Sequence, residues 1–588
     1  MRSSCCGAGA GRRFQVLFLF LLWACGGGAG TQGSPASGSG AASSGSGSGA
    51  GPGGPGAAPM GQLAAARLLS MGTFGANLAT INTVAAQSYG AWFAAQAAIT
   101  PTHEQPLVPL WNSDREMPWW TVAITAQDQL RQRVAFALSE LLVVSNANAQ
   151  LIDEGQALAH YYDLLTDNAL GNYRTLLDAV SHSPVMGQYL TFFRNASGNA
   201  AKGTHADENY ARESMQLFTV GLWQLHADGT RTLDAAGHPV PTFSQADVAE
   251  LARVFTGWAS APQDGQTGDI AWLYANDLLD PMVCYPAYHD SGAKTIIGGV
   301  PIAAGGDCQS DMEAALDALF RHPNVGPFVG RQLIQRLVTS NPTPAYVGRV
   351  AAVFADDGNG VRGNLAAVVQ AILTDPEART ASDAPTAGKL REPLLRLANL
   401  WRAFTAIDAT GMVQSPIERI TLNDFGEASL QSPSVFNFFR PDYQRSGPLE
   451  SHGLVVPEFQ ITNEYTIVQT ANDLENLAYN FIDSDGNSCS GMDGAAVNPP
   501  SGTPFLFTAE LEPLAADPAA LVDTLNLMLM GGRMPALMRS TLIDDVAGIP
   551  LAPVACFGSG SDGGSGPAQR VIEAAALIIN SSQYAVQR

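Results

Sequence analysis

The chain has 588 residues, with 53 Asp and Glu against 31 Lys and Arg and a formal charge of −22. That length exceeds what one small hydrophobic core serves, so one large or two fused domains are expected after the N-terminal region. So acidic a balance offers no phosphate-binding footprint, which excludes nucleic acid as a partner, and it suits the solubility of an exported protein.

The N-terminus sets the compartment. Arg2, Arg12 and Arg13 precede the apolar run Phe14 to Trp23, too short for a membrane span and built like a secretory signal over residues 1–24. Leu22-Trp23-Ala24-Cys25 puts a Cys directly after a small residue, as a bacterial lipobox does, so lipid modification is expected at Cys25. Trp23 is unusual in a lipobox and keeps plain signal cleavage open. Residues 25–61 are almost entirely Gly, Ala, Ser and Pro, a tether with nothing to bury and an r.m.s. reach of roughly 30–35 Å. The expected location is the cell envelope, lipid-anchored at the outer membrane or cell surface. Cys284, Cys308, Cys489 and Cys556 remain after the leader. Four cysteines allow three pairings in an oxidising compartment, and closeness in sequence favours Cys284 with Cys308 and Cys489 with Cys556.

Residues 62–588 read as a mainly α-helical, multi-helix globular bundle with small inserted β-hairpins and a possible sub-division near residue 305. Ala65 to Gly75 and Leu78 to Ala98 predict two opening helices. Thr125 with Asp128 has capping-box spacing before a stripe of Leu130, Val134, Leu138, Leu141 and Leu142, which Arg131, Arg133 and Glu140 do not join. Further helices follow over Tyr161 to Leu170, Tyr173 to Ser181 and Pro184 to Phe193.

Thr204 to Gly221 is the most patterned polar stretch. Thr204 and Asp207 have capping-box spacing and Gly221 suits a left-handed stop, which predicts one helix. Its wheel puts Tyr210, Ala211, Ser214, Met215, Leu217 and Phe218 on one face and Glu208, Asn209, Arg212, Glu213 and Gln216 on the other. A solvated face with a Glu208–Arg212 pair is the plain reading of the polar side.

Turn dipeptides predict hairpins over 222–243 and 294–303. Ser244 and Asp247 make a third capping box, opening a helix that Gly257 stops before Trp258. From Asp311 helices dominate: Met312 to Phe320, Pro327 to Val338, Ala345 to Phe354, Leu365 to Leu373, Leu390 to Phe404, Pro518 to Met530 and Ala568 to Ile579. Residues 485–515 read as a Gly-, Pro- and Ser-rich surface excursion. Asp483-Ser484-Asp485-Gly486-Asn487 begins like a calcium loop but lacks its distal Glu, so an Asx-rich turn is preferred.

Several phrases together resemble one exported bacterial family, domain of unknown function 1800. They are Arg67-Leu68-Leu69 with Thr73-Phe74-Gly75, Asp207-Glu208-Asn209-Tyr210-Ala211-Arg212-Glu213, Leu251-Ala252-Arg253 with Thr256-Gly257-Trp258, and His289-Asp290 with Gly292 and Lys294. His322-Pro323-Asn324 with Pro327-Phe328, Ser432 to Phe439 with Pro441-Asp442-Tyr443, and Ser581-Ser582-Gln583-Tyr584 complete them. The resemblance runs from about residue 62 to the C-terminus. Gln216 and Gln245 stand where that family usually has acids, which puts any mechanism needing either carboxylate in doubt. The resemblance supplies no activity, and it implies a co-exported partner of the domain of unknown function 1501 type.

No nucleophile elbow, zinc-ligand spacing or dinucleotide fingerprint stands outside low-complexity sequence. What remains for catalysis is Glu208, Asn209, Arg212, Glu213, His289, Asp290 and Lys294, from two separate segments. If they meet, Glu208, Glu213, His289 and Asp290 have the ligand types for a divalent metal, the only cofactor the sequence suggests. An Asp-oriented His acting as base with Arg and Lys holding an anion is the other use. The bland alternative is a charge network that fixes the fold. The expected function is an uncharacterised envelope lipoprotein working with its co-exported partner; the alternative is an extracytoplasmic hydrolase, metal-assisted, built on the Glu-Asn-Arg-Glu helix and the His-Asp loop.

Overall fold

The helix Gln129–Ser139 is buried at every residue and organises what surrounds it. Leu130, Val134 and Leu138 supply the expected apolar stripe, but the opposite side is not solvated. Arg131 donates to the carbonyls of Thr166 and Asp167 at 3.4 and 3.3 Å, and Arg133 to the carbonyl of Arg336 at 2.7 Å. Backbone oxygens of neighbouring elements thus satisfy part of each guanidinium, while Arg131 Nε and Arg133 Nη1 have no partner. The helix packs against Glu116–Thr125, Gly155–Asn168 and Val325–Leu337.

The computed structural model describes residues 58–588 apart from 111–113, 264, 381–383, 385, 406–423, 486–487, 491–494, 497–505 and 553–565. The expected signal sequence, Cys25 and most of the expected tether lie outside these residues. Met60 and Gly61 already donate to the carbonyls of Gln87 and Ala85.

The protein is a mostly helical bundle with small sheets, as its capping and periodicity predict. Leu78 to Ala98 is not one helix but two, Leu78–Ala85 and Tyr89–Ala98, because Ser88 turns out of the first and caps the second through Ala91 N. Helices Val325–Leu337, Pro344–Ala355 and Leu365–Thr374 pack as sequence neighbours. Trp119, Trp120 and Trp401 form an edge-to-face series, each step 5.0 Å between ring centroids, a geometry that contributes about 0.5–1.5 kcal/mol per pair beyond burial.

Both hairpins form. Bridges Trp223–Pro241, Leu225–Arg231 and Leu233–Pro239 build a nested pair of turns, and Lys294–Ile296 pairs antiparallel with Val300–Ile302. The excursion after residue 480 contributes strands to a four-stranded sheet with Phe481–Ile482 and Leu506–Phe507 at adjacent positions in parallel, which the sequence did not signal.

Two capping expectations are corrected. Asp128 does precede its helix, but its carboxylate accepts from Thr102 N and Oγ1 and from Gln132 Nε2, while Thr125 belongs to the preceding helix. The central helix runs only Asn209–Gln216. Thr204 bridges instead to Asn199, and the Asp207 carboxylate accepts from Asn209 N and Thr191 Oγ1. The Ser244–Asp247 box is present in full.

Candidate functional site

The polar face of the Asn209–Gln216 helix is a closed surface triangle. Glu208 Oε2 accepts from Arg212 Nη2 at 2.9 Å and from Gln245 Nε2 at 2.8 Å, and Arg212 Nη2 also donates to Gln245 Oε1 at 3.2 Å. Gln245 can stand here because the Ser244 box begins its helix at this residue. Asn209 Nδ2 donates to Thr191 Oγ1 at 3.4 Å. Glu213 departs from the expected wheel: it is buried, its Oε2 has no partner, and burial pushes its carboxyl up to about 7 against the opposing charge of Arg212.

The second segment forms a different cluster. His289 Nδ1 lies 3.0 Å from the carbonyl oxygen of Thr256 and its Nε2 lies 3.1 Å from Asp311 Oδ2. Lys294 Nζ donates to the same oxygen at 2.6 Å, and to the carbonyls of Gly292 and Asp290. Side-chain exposure across His289, Lys294 and Asp311 is 3 % or less. Both ring nitrogens are engaged, leaving no free lone pair for a metal. Asp290 forms a fork with Arg253 at 2.8 and 3.0 Å, which holds its carboxyl below the ordinary range.

Local sequence explains this packing. Gly257 has φ +84°, and a Cβ there would lie 3.0 Å from both His289 Cβ and the Tyr285 carbonyl, so only glycine lets the His289 loop close on the helix end. Cys284 and Cys308 form a disulfide, tying that loop to the helix Cys308–Arg321 that carries Asp311. Cys556 lies outside the described residues, as does the side chain of Cys489. Asp483 Oδ1 accepts from Asp485 N at 3.0 Å, an Asx turn, while Gly486 and Asn487 are not described.

Each segment is therefore held together internally, and among the described residues no shared partner joins one to the other. Glu208 and Arg212 meet Gln245; His289 and Lys294 meet Asp311. No group of three or more His, Cys, Asp or Glu with metal-holding geometry occurs among the described residues.

A third place has the shape of a site. A cleft of about 430 Å³ lies between the end of the Asn209–Gln216 helix, the hairpin after Gly221, the helix Val325–Leu337 and the segment 435–442. Trp223, Phe328 and Phe436 give it aromatic walls; Arg231, Arg331, Arg336 and Arg440 line it against only two carboxyls, Glu140 and Asp442. Gly221, at φ +70°, lets the chain turn over the Phe328 ring, whose Cδ2 would be 2.7 Å from a Cβ.

Its floor is a buried charge pair. Glu140 Oε1 accepts from Asn437 Nδ2 at 3.1 Å and lies 3.5 Å from Arg336 Nη1, while Oε2 has no partner. Burial pushes the Glu140 carboxyl up to about 7; Arg336 opposes this and Glu392 adds to it. Arg336 lies over the Phe439 ring, 4.4 Å from its centroid. Asn437 holds φ +62°, a left-handed position that Asn tolerates better than most residues, and so reaches Glu140. Beneath lie Lys389, Glu392 and Glu458, paired at 2.8 and 3.1 Å.

Sequence reasoning missed this cleft. Glu140 showed only as a charge off an apolar stripe. The better signal was that Phe328, Phe436, Asn437, Phe439, Pro441 and Asp442, all in phrases carrying the family resemblance, converge here.

No curated protein and no solved structure matches the chain. A family model described as a protein of unknown function, DUF1800, matches residues 67–586, and the chain belongs to that family.

Proposed function

We propose that this protein is a ligand-binding component of the cell envelope whose working site is the arginine-lined cleft. The observation that carries the reading is the cleft itself: its volume lies within the roughly 300–1,000 Å³ usual for small-molecule sites, with apolar walls and a few convergent polar groups. Export and anchoring at Cys25 rest on the leader sequence, and action beside a co-exported partner of the domain of unknown function 1501 type rests on the family resemblance. The test uses a small-molecule extract of the source envelope. A saturating ligand raises the stability of the intact protein, by about 2.7 kcal/mol at a hundredfold excess over Kd. Gln216→Trp, which fills the cleft from the helix end, should abolish the rise in melting temperature. An equal rise in that variant removes the cleft from the reading.

One observation favours a second, hydrolytic reading of the same cleft. Glu140, with a carboxyl that titrates near 7 and an unpartnered oxygen beside Arg336, has the chemistry of a base that takes a proton from attacking water while the guanidinium steadies the developing anion. Glu140→Gln should then abolish turnover of an ester panel and leave ligand binding in place; turnover that survives the substitution excludes it.

A further inference from the structure

We infer that the cleft selects a small organic anion, a carboxylate, phosphate or sulfonate carried on a flat apolar body. This rests on the cleft being the ligand site and adds the class of ligand.

The charge argument comes first. In a chain with 53 acids and 31 bases, a lining of four arginines and two carboxyls reverses the sign of the molecule. The two carboxyls offset only Arg440 and Arg336, which leaves Arg231 and Arg331. Asp442 lies 3.8 Å from Arg440, and Glu140 is turned inward to Asn437 and Arg336. Arg331 makes no ion pair or side-chain hydrogen bond among the described residues. Although its side chain reaches solvent, desolvation between the walls and the charge of Arg231 hold its guanidinium below the ordinary range, with Asp442 opposing. Arg231 is held by Trp223, 5.8 Å from the ring centroid, and by no carboxylate among the described residues. Two like charges that act on each other with only Asp442 opposing cost stability, and a ligand anion held by their guanidiniums relieves that cost.

The walls specify the rest of the ligand. Phe436 is 45 % exposed and Leu222 47 %, and both line the cleft with Trp223 and Phe328. The exposed Phe436 ring, with the half-buried Trp223 and Phe328 in the same lining, fits a planar apolar group with its anion turned to Arg331. Glu140, which lines the cleft, is nine-tenths buried and its Oε2 has no partner.

The test compares two fluorescent probes on the full-length protein, anilinonaphthalene sulfonate and its uncharged analogue N-phenylnaphthylamine. The sulfonate should bind about tenfold or more tightly than the neutral probe and lose that advantage in Arg331→Met, with Arg231→Gln as a second variant. Phenylacetate or phenyl phosphate should displace it, and their relative strength sorts carboxylate from phosphate. Equal affinity for both probes, unchanged by Arg331→Met, or displacement by neither anion, overturns the anion class. Such a result leaves the ligand site intact if Gln216→Trp still blocks the neutral probe. If Gln216→Trp blocks neither probe, the ligand-site reading fails with it.

Discussion

Lys294 Nζ and Asp311 Oδ2 meet at 2.6 Å in a place neither shares with solvent. His289 and the carbonyls of Gly292 and Asp290 complete the enclosure. A buried cation deprived of its partner is costly, so Asp311→Ala should lower stability by about 3–5 kcal/mol in urea unfolding. Replacing both partners by apolar residues of similar size should cost much less. A loss under about 1 kcal/mol for Asp311→Ala would mean that the cluster opens to water in solution.

The Cys284–Cys308 bond closes a loop of sequence separation 24, for which loop-closure entropy gives about 3 kcal/mol. Reduction, or Cys284→Ser with Cys308→Ser, should lower stability by about 3 kcal/mol, seen as a fall in melting temperature. An unchanged melt under reductant would show that the His289 loop is held by its hydrogen bonds alone.

Much of the fold was legible because it depends on local pattern. The Ser244–Asp247 box uses only residues a turn apart, and Gly221 and Gly257 take the expected left-handed φ, though their helices end earlier, at Gln216 and Val254. Thr204 and Asp207 have the same spacing, yet Thr204 pairs with Asn199, and Asp207 divides its carboxylate between Asn209 N at the helix start and Thr191 Oγ1. Asp128 is taken by Thr102, across 26 positions. The site was less legible for the same reason. Glu140 acquires meaning only through Arg336 and Asn437, and Asn437 stands 297 positions away. His289 could be named as a candidate from its sequence neighbours, but its partner Asp311 lies 22 residues on, in the first turn of another helix, and had no mark of its own.

Glu213 gives a pH dependence of determined sign. Its carboxyl holds a proton more tightly folded than unfolded, so its stabilising effect is complete at low pH and is lost as pH rises through about 7. Glu213→Gln should therefore change little near pH 5 and raise stability near pH 8 by roughly 1–2 kcal/mol, discounted for the part of the carboxylate that solvent screens. Denaturant midpoints at the two values check it; equal shifts at both would place Glu213 in water.

Anchoring makes a separate prediction. The intact mass of membrane-fraction protein should show Cys25 as a lipidated N-terminus, and Cys25→Ala should move the protein to the soluble fraction. A soluble, unmodified wild type beginning elsewhere would remove the anchor without touching the cleft.

The central claim is that function resides in the cleft lined by Arg331 and Trp223 and not in the two polar clusters of the Glu208 helix and the His289 loop. Native mass spectrometry of protein gently extracted from its own membranes compares wild type, Gln216→Trp and Glu208→Gln. A bound small molecule present in wild type and in Glu208→Gln and absent from Gln216→Trp is the predicted result. Retention in Gln216→Trp together with loss in Glu208→Gln would contradict it.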